Sequence, residues 1–227
     1  MKRLVLHSNQ IVPESDKVER EWLALLGKTH PSIGYIPSCS DPERLFFRAQ
    51  KSYYARYGIE IAVYYELDVA YTPERLTSLL ECDAIHLTGG NTFYFLHWLR
   101  QRNMLSTLQR YVANGGILIG VSAGAILMTG NIATAGLCGD TPPKDDSDWS
   151  GLGLVDFAFV PHIDSLPGGI VALENYARQH QVTVYACRDG DGLIVQDNQI
   201  RCIGNVIIVE PDKAAKQAKG LPNTGTT

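Results

Sequence analysis

The chain has 227 residues, of which 45% are hydrophobic and 19% charged, with a formal net charge of −4 and a pI near 5.8. Such a balance supports a sizeable buried core. It argues against a nucleic-acid or anionic-membrane partner, since either would need a clustered basic patch. The five cysteines (Cys39, Cys82, Cys138, Cys187 and Cys202) are widely spaced and fit no zinc-site pattern. MKRLVLHSNQ turns polar too soon for a signal peptide, and no apolar run approaches the roughly 18 residues of a membrane span. A reduced cytoplasmic setting without metal or cofactor is expected.

In chain order, KRLVLHS reads as a first strand and residues 14–26 as a helix ending near Gly27. SIGYIPS is a second strand, residues 42–57 a helix, and IEIAVYYEL a third strand. A short helix follows, with Thr72 as its cap and Pro73 in its first turn. DAIHLTGG is a fourth strand, NTFYFLHWLRQR a helix, and GGILIGVS a fifth strand that runs into a helix beginning at Ser122. Near-continuous apolar strands alternating with helices predict a mostly parallel sheet covered on both faces, an α/β fold.

The pattern changes after Thr129. Residues 130–150 hold Gly, Asn, Pro and four aspartates and read as a long irregular loop, which would serve as a lid over the site. FAFVPHID is another strand, residues 169–180 a helix, and VTVYACRD a strand. GLIVQDNQIRCIG reads as a hairpin about Asp197-Asn198, and NVIIVEP closes the sheet. Residues 1–212 are expected to form a single domain, and residues 213–227, rich in Lys, Gly and Thr, a flexible tail.

Gly120-x-Ser122-x-Gly124 between a strand and a helix fits a nucleophile elbow, in which small residues let a serine sit in a turn too tight for flanking side chains. The following helix would present the Ala123 amide to an oxyanion. A second donor is expected from Gly89-Gly90, where another strand ends and Asn91 caps a helix. Among six histidines, His162 alone follows a strand at the expected carboxyl edge of the sheet, which makes it the candidate base. Asp189, at a comparable strand end, is the favoured orienting acid. Asp164 lies too near His162 in sequence, Asp140 sits in the loop, and Asp191 reads as a turn residue. The order Ser, His, acid differs from the Ser, acid, His of α/β-hydrolases and counts against a lipase or esterase.

LTGGNTFYFL together with GVSAGAI, PHID at a strand end and a late RDGDGLIV resembles peptidase family S51, which includes aspartyl dipeptidase (peptidase E) and cyanophycinase. The resemblance implies a flavodoxin-like three-layer α/β/α sandwich related to class I glutamine amidotransferases. It also implies a serine peptidase acting on short peptides through Ser122, His162 and Asp189, with Gly90 and Ala123 as oxyanion amides. Some members of the family take the acid from the loop after the elbow, where Asp140 stands here. Peptidase E binds an acidic side chain through arginines after its histidine. In this chain only Arg178 and Arg188 lie between His162 and Asp189, and Pro167-Gly168-Gly169 replaces a charged stretch. Asn91 and Arg178 are expected to touch substrate, and the partner is a short peptide, with a homodimer left open. A non-hydrolytic binding or regulatory protein on the same fold and a small-ester hydrolase are the other readings weighed.

Overall fold

The first apolar run forms β1 (Arg3–His7), which lies inside a seven-stranded sheet rather than at its edge. Parallel strands extend from one side of it: β5 (Ile117–Val121), β4 (Ala84–Leu87), β2 (Ser32–Ile36) and β3 (Glu60–Tyr64). On its other side β8 (Gly192–Gln196) pairs antiparallel and forms a hairpin with β9 (Gln199–Ile203), turning at Asp197 as the sequence predicts. This computed structural model describes residues 1–69, 72–144, 147–212 and 216–219.

Strand periodicity sends alternate side chains to opposite faces. Val5, Ile33, Ile117, Ile119 and Ile194 face α1 (Asp16–Leu26) and α2 (Leu45–Ala55), packing with Val18, Trp22 and Tyr54. Leu4, Leu6, Ile85, Leu87 and Leu118 face the opposite way. They meet Leu79 of α3 (Pro73–Leu80), Phe95 and Leu99 of α4 (Thr92–Gln101), and Leu108 and Val112 of α5 (Met104–Ala113). The α/β/α sandwich expected from the alternating pattern is therefore present. Helix α5 occupies a stretch that the sequence pattern leaves unassigned. Helix α2 begins three residues later than expected, because both carboxylate oxygens of Asp41 accept from the Leu45 and Phe47 amides and fix the start there. Thr72 occupies the cap position of α3 without a side-chain capping bond.

The second half departs from a single sheet. β6 (Ala158–Val160), β7 (Val184–Ala186), β10 (Asn205–Val209) and β11 (Lys216–Lys219) form a separate four-stranded sheet. Phe157 and Phe159 turn one face of it into the main core beside Leu193 and Val195. Ala158, Val160, Val184 and Ala186 turn the other face onto Leu173, Tyr176 and Ala177 of α8 (Gly169–His180). NVIIVEP therefore does not close the main sheet as expected but forms β10 of the second one, because an apolar strand run reads the same whichever sheet it joins.

Two further expectations change. The stretch 130–150 contains a helical turn, α7 (Thr134–Leu137), anchored by buried Ile132, Thr134 and Ala135. Four residues are too few for helical periodicity to show. Residues 145 and 146 of that stretch lie outside the described residues. Of the expected tail, 216–219 adds strand β11 to β10, where the free edge of β10 offers backbone partners; the remaining residues from 213 onward lie outside the described residues.

Candidate active site

The carboxyl ends of β1, β4 and β5 meet the junction of the two sheets, and the candidate residues gather there. Ser122 follows β5 with φ 50 and ψ −109, a conformation rare outside glycine, and begins α6 (Ala123–Ile126). The two flanking glycines are required by backbone contact. A Cβ on Gly120 would stand 2.5 Å from the Gly124 carbonyl group, and one on Gly124 would stand 2.2 Å from the Leu87 oxygen. The Ser122 amide donates to the His7 carbonyl (3.0 Å) and the Gly124 amide to the Thr88 carbonyl (3.0 Å), so β1 and β4 both hold the turn.

His162 follows β6 in the left-handed region (φ 55, ψ 39) and lies 2.9 Å through Nε2 from the Ser122 Oγ. Its Nδ1 lies 2.6 Å from Asp189 Oδ1. Asp189 sits in the connection from β7 to β8. That connection is clasped to the end of β1 by the Ser8 amide donating to the Asp191 carbonyl (3.2 Å) and the Gly190 amide donating to the Asn9 carbonyl (3.2 Å). Burial acts to raise the Asp189 carboxyl. Hydrogen bonds from His162, Asn9 and Ser8, with the imidazole charge, outweigh it and hold the group below its ordinary value. The acid is thus kept ionised beside the imidazole.

Two residues of this arrangement carry no motif. Ser8 is fully buried, donates through Oγ to Asp189 Oδ1 (3.1 Å) and accepts the His162 amide (2.7 Å). Asn9 donates to Asp189 Oδ2 (3.2 Å). Both lie just past the end of β1, and their polarity at the carboxyl edge of the sheet is the one signal the sequence carries for them.

The other candidates separate. Asp140 accepts from the Thr92 amide (2.7 Å) and the Asn91 side chain (3.4 Å), closing the amino end of α4 instead of approaching His162. Asn91 caps the same helix by accepting the Tyr94 amide (2.9 Å). Asp164 pairs with Arg188 (3.0 Å), and Asp191 accepts the Asn205 amide (3.1 Å) as a turn residue. Arg178 lies in the last turn of α8 beside Asn175, and no described hydrogen bond joins it to the site. The Gly90 and Ala123 amides have no hydrogen-bond acceptor among the described residues. Gly89 abuts the serine: a Cβ there would stand 3.5 Å from Ser122 Cβ. The arrangement brings together a hydroxyl, an imidazole, a carboxylate and two open amides from strand ends of both sheets, as acyl transfer requires.

A sequence model of peptidase family S51 matches residues 4–203. An uncharacterized peptidase of Listeria innocua is 34% identical over 177 residues, covering 74% of this chain and 79% of its own. Peptidase E of Nostoc sp. is 28% identical over 232 residues, covering 91% and 88% respectively. A solved structure from Listeria monocytogenes EGD-e superposes with a TM-score of 0.71 at 24% identity, over 89% of this chain and 98% of that one, a likeness of fold.

Proposed function

Because the chain belongs to peptidase family S51 and is a peptidase of that family, we propose that it hydrolyses short peptides through an acyl-enzyme on Ser122. The observation that carries the assignment is the run of contacts from Ser122 Oγ to His162 Nε2 at 2.9 Å and from His162 Nδ1 to Asp189 Oδ1 at 2.6 Å. His162 takes the hydroxyl proton as Oγ attacks the scissile carbonyl carbon. The Gly90 and Ala123 amides receive the developing oxyanion, each such donor contributing about 3 kcal/mol in the transition state. The C–N bond then breaks, and His162 returns its proton to the leaving amine. Water attacks the acyl ester with His162 again as base, releasing the acid and restoring the Ser122 hydroxyl.

Asp189 fixes the imidazole tautomer, with the proton on Nδ1 and the lone pair facing Ser122. The similarity to peptidase E directs the proposal to dipeptides and other short peptides. A preference for amino-terminal aspartate gains no support, because Arg188 is paired with Asp164 and Arg178 lies at the far end of α8. The five cysteines are free, which suits the reducing cytoplasmic setting included in this proposal. No described helix is long and apolar enough to cross a membrane.

The test is mass-spectrometric cleavage of a dipeptide and tripeptide library by the wild-type chain and by Ser122→Ala. Cleavage confined to the wild type is expected, with no restriction to amino-terminal aspartate. A folded wild type that cleaves nothing, or an equally active Ser122→Ala, would refute the assignment.

A further inference from the structure

We propose that Ser38 and Thr88 form a two-hydroxyl clamp that orients the Gly89–Gly90 peptide, and so are positioning residues for the oxyanion site; this rests on the reading of Ser122 as nucleophile. Ser38 lies just past β2 and Thr88 directly past β4, neighbouring strands of the sheet. Both side chains are buried, at 5% and 8% exposure.

The Ser38 Oγ donates to the Gly89 carbonyl oxygen at 2.7 Å, and Thr88 Oγ1 donates to the same oxygen at 2.9 Å. Thr88 Oγ1 in turn accepts the Ser38 amide at 2.8 Å, which leaves the threonine proton free for the carbonyl. One carbonyl oxygen therefore receives two hydroxyl protons, filling both of its lone pairs.

A trans peptide carries its C=O and N–H on opposite sides. Fixing the Gly89 oxygen toward Ser38 thus fixes the Gly90 N–H away from it. Gly90 itself cannot carry a side chain here: its φ is 132, and a Cβ would fall 2.1 Å from Ser38 Oγ. The clamp and the glycine are thus one device. The Ser38 hydroxyl occupies the space a Gly90 Cβ would need, and the missing Cβ lets it reach the peptide. Two donors on the carbonyl also polarise the amide, making its N–H a stronger donor. Without the clamp, a peptide between two glycines has little to stop it rotating, and the open amide would lose its aim before substrate arrives.

The experiment measures kcat, KM and the second-order rate at which a fluorophosphonate labels Ser122, in the wild type, Ser38→Ala, Thr88→Val and Thr88→Ser. The phosphonyl oxygen occupies the oxyanion position, so labelling reads the Gly90 amide without knowledge of the natural peptide. Ser38→Ala and Thr88→Val are expected to lower kcat and the labelling rate together, by about 10- to 100-fold, with KM within about twofold of wild type. Thr88→Ser, which keeps the hydroxyl, should retain both rates, and the pH profile should keep its shape throughout. Should Ser38→Ala fail to fold, the Thr88 pair supplies the same comparison. Labelling and kcat per folded molecule that stay near wild type, even with a lowered Tm, would reduce the two residues to a structural role and overturn the proposal. A rise in KM at constant kcat would overturn it too. A wild-type chain left unlabelled at Ser122 is a separate failure, read before any variant, and removes the peptidase assignment together with the clamp.

Discussion

Replacing Asp189 by asparagine removes one charge while keeping the shape of the side chain, and the surrounding hydrogen bonds show what that costs. Oδ1 accepts from His162 Nδ1 (2.6 Å) and Ser8 Oγ (3.1 Å), and Oδ2 accepts from Asn9 Nδ2 (3.2 Å). Asparagine has one acceptor and one donor to meet these donors. With its NH2 toward Asn9, two donors face each other, and Asn9 cannot readily flip because its Oδ1 already accepts the Gln10 amide (2.9 Å). With its NH2 toward His162, the imidazole must carry its proton on Nε2, where it can no longer accept from Ser122. Either arrangement also loses the carboxylate that stabilises imidazolium. The expected fall in kcat is about 10²- to 10⁴-fold, equivalent to about 3–5 kcal/mol. Steady-state cleavage of a responsive dipeptide measures it, with Asp140→Asn assayed in parallel. Activity of Asp189→Asn within about threefold of wild type, or an equal loss in Asp140→Asn, would refute the reasoning.

Three more outcomes follow from the same contacts. Gly124→Ala would drive a Cβ to 2.2 Å from the Leu87 carbonyl oxygen, and since the neighbour is backbone the elbow must shift. A loss of about 1–3 kcal/mol in stability with a marked fall in kcat is expected, and a melting curve superimposed on wild type would contradict the geometry. Asp140→Ala removes the acceptor of the Thr92 amide at the start of α4. It should cost about 0.5–2 kcal/mol in thermal stability and change kcat/KM by less than about threefold, whereas inactivation without destabilisation would restore Asp140 as the acid. Buried Glu19 has its carboxyl raised from 4.5 to about 7 by burial, which hydrogen bonds from Gln10, Trp22 and Tyr53 only partly offset. Below its ordinary value the group is protonated in both states. Between there and about 7 the unfolded chain ionises first, so the folded state binds more protons and stability falls as pH rises. Measured against Glu19→Gln by denaturant unfolding, the wild type should lose up to about 3 kcal/mol across that window, and a pH-independent difference would argue against a neutral buried carboxyl.

The parts of this protein legible in its sequence are those dictated by local backbone constraint. GVSAG marks a turn that admits no Cβ at Gly120, whose excluded contact with Gly124 lies within the turn itself, whereas the contact that forbids one at Gly124 comes from Leu87 of neighbouring β4. GGN before a helix marks a strand end and a cap, and the Asn91 side chain does cap α4. PHID places a histidine just past a strand, where the left-handed backbone of His162 aims the ring back at the serine. The alternation of apolar runs with amphipathic stretches determines the α/β sandwich, because the inner strands of the main sheet, such as β4 and β5, bury both faces.

Other features depend on which strand ends become neighbours, and no local pattern records that. The sequence favours Asp189 over Asp140 only by its place at a strand end; the clasp of the β7–β8 connection onto Ser8 and Asn9 brings the first to His162, while the Thr92 amide draws the second to α4. Ser8 meets Asp189 across 181 residues of chain, and Ser38 meets Gly89 across 51. A lone serine at a strand end has no signature beyond its polarity. The division into two sheets is also tertiary: Phe157 and Phe159 fill the main core from a second sheet, where the sequence shows only another apolar strand. Side-chain type and spacing identify the groups able to do chemistry, and the packing of distant strand ends selects which of them meet.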